Sequence, residues 1–479
     1  MDRPLPRDYA ILAAILLLAL GLRMVGLNAP LWYDEILTID THLRLPWGDM
    51  VQSYSMNHHY FFDLQAKAAM DAFGEVPWAV RLPALLFGVA TIAAMWLLAR
   101  DVAGMVVAHV TALLLALSYH EIWFSQNARG YTELAFWSTL GLVLFLRGLA
   151  VPRIGLWLGF GLCLAAATYT HLTGAFFFAA LGLIWLMSLW RSGAGDGRLT
   201  LPLIGAGAGL ALTILLYAPL IPSLGDTVAA VGDTSAIDCM QEYQSPFWTA
   251  MEAVRTGIGS GGALVGLVGA LVLGLSIAGG FVAARREPWF APAVVAHVVL
   301  SVVVLMALGM RLWPRFFFAD IGFLMLLIVL GVQAVVGLVA RLIGREGWAK
   351  PVFTVAVVAM VLVSAGLAAR NYRSPKQDLA GAFAMAEADR LPGERIYAVG
   401  PAATAFNDHF AAGWPVITDN EGYRAALVQP GPVMLVVAFP ARVQCRVSQM
   451  QADRDSVLTE LKWFPGTLGD GGVVLFRRP

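Results

Sequence analysis

About eleven apolar runs, each near the ~20 residues that a helix needs to cross a hydrocarbon layer, dominate this 479-residue chain. They fall near residues 9–27, 79–99, 102–120, 132–149, 154–171, 173–190, 201–221, 262–284, 289–309, 316–340 and 351–370. Residues 154–190 form one apolar stretch that would overshoot a bilayer as a single helix. It is therefore divided at Tyr169-Thr170-His171. Composition agrees: 59% of residues are hydrophobic and 13% charged, against about 25% charged in soluble domains. The sequence is that of an integral membrane protein. Its formal net charge is zero, so no global field points to nucleic acid. Three cysteines rule out a disulfide scaffold and a cysteine-rich metal site. The first run follows Arg3 and Arg7 as a signal peptide would. No small-x-small cleavage site follows Gly26-Leu27-Asn28-Ala29-Pro30, and the run is expected to stay as an anchor.

With the N-terminus cytoplasmic, each inner connection carries Lys or Arg: Arg3/Arg7, Arg100, Arg147/Arg153, Arg191/Arg198, Arg285/Arg286 and Arg341/Arg345/Lys350. That satisfies the positive-inside rule. The outer side then receives 28–78, 121–131, 222–261, 310–315 and the C-terminal tail. Arg81, Arg129, Arg311 and Arg315 lie near that outer surface against the rule and need another job. After residue 370 the pattern changes. Short apolar runs (Ile396–Val399, Val433–Phe439, Val473–Phe476) alternate with helix-like segments (Lys376–Arg390, Glu421–Val428). The expected organisation is an all-α multi-span domain over 1–370 and a small extracytoplasmic α/β domain over 371–479. Cys239 and Cys445 would share the outer compartment, as a disulfide or as two free thiols. Cys163 reads as packing inside a span.

The outer connections hold the polar residues. The first run is followed by Leu31-Trp32-Tyr33-Asp34-Glu35, an acidic pair at a membrane–water boundary, where paired carboxylates more often do chemistry than hold structure. Then come Asn57-His58-His59-Tyr60, Phe73-Gly74-Glu75 leading to Arg81-Leu82-Pro83, and Ser125-Gln126-Asn127-Ala128-Arg129-Gly130-Tyr131. Trp313-Pro314-Arg315-Phe316 follows later. In this order the motifs resemble the GT-C superfamily of glycosyltransferases, within it the protein O-mannosyltransferase and aminoarabinose-transferase branch (glycosyltransferase family 39-like). By motif the resemblance covers the first 150 residues or so. In place of the Pro-Pro that many relatives carry after the loop His or Lys, this chain has His59-Tyr60.

The resemblance implies an inverting glycosyltransferase at the outer face of a bacterial inner membrane. The donor would be a sugar on a polyprenyl phosphate, the acceptor a glycan, lipid or protein. Asp34 is the expected base for the acceptor, and Glu35 orients a partner or binds metal. A phosphate leaving group needs cations, which Arg129 and Arg315 supply in bidentate form, with Gln126 and Tyr131 beside them. His58 and His59 are candidate substrate or metal contacts. Glu75 and Arg81 read as a structural ion pair. No cofactor is implied, and a need for a divalent metal ion stays open.

Each assignment has a plainer counterpart. Asp34–Glu35 could be a solvated pair opening a loop helix, and Arg129 and Arg315 could snorkel at helix ends. His109, His171 and His297 read as interhelical partners. Gly257-x-Gly259-x-x-Gly262 matches a dinucleotide fingerprint formally, but no strand precedes it. Gly262-x-x-x-Gly266 is read as close helix packing instead. The competing class of function, a multi-span lipid or solute transporter or flippase, predicts ionisable residues at mid-membrane and matching broken helices. The mid-span positions here are nearly uncharged and no halves repeat.

Overall fold

The structure, a computed structural model, describes residues 4–479 except 56, 194, 196, 224, 226–240, 260 and 468–470. The chain divides into two compact units. The first comprises Met1–Leu27, His58–Gly225 and Tyr243–Ala369; the second, Asn28–Asn57, Asp226–Glu242 and Arg370–Pro479.

The first unit is helical, as runs that must satisfy their own backbone in lipid have to be. Among the described residues eight helices are long and apolar enough to cross a membrane. The pair Met105–Ala116 and Tyr119–Ser125, bent by 58°, passes the same test only when taken together, as one broken span or a re-entrant loop. The remaining two expected spans are Pro6–Met24, of 19 residues, and Ile154–Thr170, of 17. The chain is a multi-span membrane protein. The long apolar stretch does break where the polar Tyr-Thr-His interrupts it: one helix ends at Thr170 and the next begins at Thr173.

Buried Arg23 explains how the bent pair is tolerated. Carbonyls released where a helix stops must find donors. The Arg23 guanidinium donates to the carbonyls of Ala116 (3.2 Å) and Leu115 (3.3 Å), and its Nε to Ser125 Oγ (3.0 Å). Three other polar residues of the spans are also paired. His297 Nδ1 lies 2.9 Å from Asp320 Oδ1, and Glu133 Oε1 accepts from Gln65 Nε2 at 2.8 Å.

Helices cross most closely where glycine removes the side chain. An added Cβ on Gly161 would run into the Gly205 carbonyl, and one on Gly279 into the Leu327 carbonyl. The expectation for Gly262-x-x-x-Gly266 is corrected here: a Cβ on either glycine meets no described atom within 4 Å. Gly262 instead starts the helix Ala263–Ala283 at a φ of 68°, a conformation that glycine adopts freely.

The second unit is built on a five-stranded sheet in the order β2-β1-β3-β5-β4. The strands are β1 (Arg395–Val399), β2 (Val416–Ile417), β3 (Val433–Ala438), β4 (Thr459–Phe464) and β5 (Val473–Arg478). β1 runs parallel to β2 and β3, while β5 runs antiparallel to β3 and β4. Every residue of β3 is buried, so both its faces must be covered. Met434, Val436 and Ala438 pack with Leu379, Ala382, Phe406 and Trp414. The alternate residues Val433, Leu435 and Val437 pack with Tyr423, Ala426 and Met450.

The segment 28–57 joins this sheet from far away in sequence. Ile36, 1% exposed, belongs to the same buried cluster as Leu379, Phe406 and Phe439. The Tyr33 ring meets Phe439 edge-on at 5.2 Å, and the Tyr33 amide donates to Gln377 Oε1 at 3.2 Å. Cys163 is a buried free thiol. Cys239, half of the possible pair with Cys445, lies outside the described residues.

Candidate functional site

In the second unit the acidic pair sits on a short helix, Tyr33–Thr38. The two carboxylates have different surroundings. Glu35 is fully buried and its Oε2 accepts the amide of Trp32 at 3.2 Å, a capping contact that holds the start of its own helix. Asp34 is 9% exposed, and its backbone carbonyl accepts the Thr38 hydroxyl at 2.9 Å. The Tyr33 phenol beside them is pushed up by burial and by the charge of Asp34, against a smaller lowering by Arg442.

In the first unit the histidine pair leads into the helix Tyr60–Phe73. Asp63 on that helix accepts the backbone amide of His59 at 3.2 Å, and its Oδ2 lies 3.4 Å from His58 Nδ1. The His59 side chain turns the other way. Its ring lies 4.7 Å from the ring of Tyr131 and 4.8 Å from that of His171, and both of its nitrogens are buried. Gly130 allows this approach: an added Cβ there would stand 3.0 Å from His59 Nδ1 and 2.7 Å from Thr170 Cγ2. Arg129, immediately before it, is 4% exposed.

His171 occupies the break between Ile154–Thr170 and Thr173–Ser192. Its ring contacts Phe316 at 5.6 Å, next to Arg315, whose guanidinium packs 4.9 Å from the centre of the Trp313 ring. Both imidazoles are held neutral. Burial drives His59 well below the ordinary histidine range, with further lowering from Arg129, His171 and Arg315. The same burial and the same two arginines bring His171 to about 3. Thus His59, Arg129, Tyr131, His171 and Arg315 are gathered in one unit. Two permanent cations and two uncharged rings suit an anion.

The remaining candidates fall elsewhere. Gln126 donates its amide to the carbonyls of Arg23 (3.1 Å) and Val25 (2.5 Å), fastening the end of the first helix. Arg81 is buried and donates to the Leu27 carbonyl at 2.8 Å, while Glu75 is exposed just ahead of its helix. Sequence reasoning passed over Asp63 and took His171 for a packing residue. The signal for His171 was its place in a polar break of an otherwise apolar run.

Residues 58–222 match the family described as dolichyl-phosphate-mannose-protein mannosyltransferase, a stretch that contains His58, His59, Gln126, Arg129, Tyr131 and His171. No curated protein sequence matches the chain. Among solved structures the chain is similar to ArnT from Cupriavidus metallidurans bound to undecaprenyl phosphate. The identity is 15%, the TM-score 0.53, and the match covers 98% of this chain and 97% of that one. The fold is GT-C. A second GT-C structure, the oligosaccharyltransferase AglB from Archaeoglobus fulgidus with an inhibitory peptide and a dolichol-phosphate, is 14% identical at a TM-score of 0.56. That match covers 95% of this chain and 73% of AglB. At such identities the likeness speaks for the fold, and the chemistry has to be argued from the residues.

Proposed function

We propose that the protein is an inverting glycosyltransferase that moves a sugar from a polyprenyl phosphate to an acceptor at the outer face of the inner membrane. The observation that carries this reading is the pairing of Arg129 and Arg315 with uncharged histidines in the membrane unit. Undecaprenyl phosphate in ArnT and dolichol-phosphate in AglB support the choice of lipid. In the proposed reaction the Asp34 carboxylate takes the proton of the acceptor hydroxyl as its oxygen bonds to the anomeric carbon. The bond from that carbon to the phosphate oxygen breaks on the opposite side, and its electron pair leaves with the polyprenyl phosphate. Arg129 and Arg315 neutralise the charge that builds there. One displacement inverts the anomeric centre.

The test is genetic and chemical. Deleting the gene should remove one sugar mass from the envelope glycolipids or glycans, and the wild-type gene should restore it. Asp34→Asn should reach the membrane in normal amount and lower transfer by about 100-fold or more, the scale of a lost general base. Restoration of the sugar by Asp34→Asn at the wild-type level would overturn the base assignment.

A further inference from the structure

His171 has a fixed tautomer. Its Nδ1 faces two donors, the Thr173 amide at 3.2 Å and the Thr173 hydroxyl at 2.7 Å. A backbone N–H can only donate, so Nδ1 accepts and the proton of the neutral ring sits on Nε2. That leaves an N–H donor on a ring lying 4.8 Å from His59. His59 is itself 1% exposed, and neither of its ring nitrogens meets a hydrogen-bonding partner among the described residues. A buried imidazole without a partner loses the hydrogen bonds it would make in water, unless a ligand replaces them. The charged neighbours of both rings are Arg129 and Arg315. Asp63, the acid on the adjoining helix, is engaged with the His59 backbone amide and faces His58.

We infer that His59 and His171 donate hydrogen bonds to the phosphoryl group of an anionic ligand, beside Arg129 and Arg315, in a site that takes no divalent cation. Metal binding through His171 Nε2 would move the ring proton to Nδ1, against the Thr173 amide. A dication at His59 would also face two guanidinium charges. A phosphoryl group meets complementary chemistry instead: uncharged N–H donors add hydrogen bonds without adding a third positive charge. That the phosphoryl group belongs to a polyprenyl lipid rests on the function proposed above.

The experiment measures binding without transfer. The purified full-length protein in detergent, with EDTA present, is titrated with undecaprenyl phosphate and separately with decyl phosphate. His59→Phe and His171→Phe keep a ring but lose the donor, and each should weaken binding by about tenfold or more. His59→Gln and His171→Gln restore an N–H at a similar reach and should bind within a few-fold of wild type. This rescue separates lost contacts from damaged folding. Wild-type affinity in both Phe variants would overturn the inference. So would wild-type binding that EDTA abolishes and Mg2+ or Mn2+ restores. Histidine-dependent binding of decyl phosphate with no binding of undecaprenyl phosphate would keep the site and overturn the polyprenyl donor. Binding of neither by the wild type would overturn the site itself.

Discussion

His59 and His171 show how two residues of one type come to behave unlike free histidine, and they give the protein a specific acid sensitivity. The unfolded His171 ring takes a proton below its ordinary value of 6.5, while the folded ring resists until about 3. His59 resists in the same direction. Between those limits the unfolded state binds more protons, so stability is full above 6.5 and falls as pH drops toward 3. The slope is on the order of 1 kcal/mol per pH unit for each group. Melting of the detergent-solubilised protein should therefore drop between pH 6.5 and 4, less steeply in His171→Gln; parallel curves would place the acid sensitivity elsewhere. At this scale the sequence was only partly legible. The motif Ser125–Tyr131 singled out Arg129 and Tyr131, whereas His171 was marked only by its polar break, a signal that does not separate a site residue from a packing partner such as His297, which pairs with Asp320. Adjacent Asp34 and Glu35 look equivalent in sequence, and only the helix start at Trp32 shows that Glu35 is used as a cap.

Helices of a membrane protein read easily and their crossings do not. The eight long spans were visible because runs of about twenty apolar residues are rare outside lipid. Small residues, by contrast, recur along nearly every span, and only the three-dimensional partner decides which of them are in contact. Gly161 and Gly205 prove to be such a contact, and Gly262 and Gly266 do not. Gly161→Val should cost about 1–3 kcal/mol or more by overpacking, with a lower melting temperature and poorer yield in detergent. Gly266→Val, facing open space, should stay within about 0.5 kcal/mol of wild type. Comparable loss in both would mean that the crossing is not what limits stability. The strands obey the same logic. β1, β3 and β5 were readable as apolar runs. β4 was missed because Thr459–Phe464 lies at the sheet edge with most side chains exposed, and β2 is two residues long.

At the scale of the whole chain, composition marks a change after residue 370 but gives no sign that residues 28–57 fold together with 370–479. That association depends on a few apolar contacts, Ile36 foremost, scattered through a segment that is otherwise ordinary in composition. Ile36→Asp should place a charge among Leu379, Phe406 and Phe439, inside the second unit. Brief proteolysis of the full-length protein should then cut within 28–57 several-fold faster than in wild type, and unchanged cutting would show that Ile36 does not anchor the segment. The same contacts impose an order on biosynthesis. Asp34 leaves the ribosome early, yet the residues that seat its helix are made more than three hundred positions later. A nascent or prematurely terminated chain can complete its arginine–histidine cluster while its proposed base has no settled place. Incomplete products should therefore be catalytically silent.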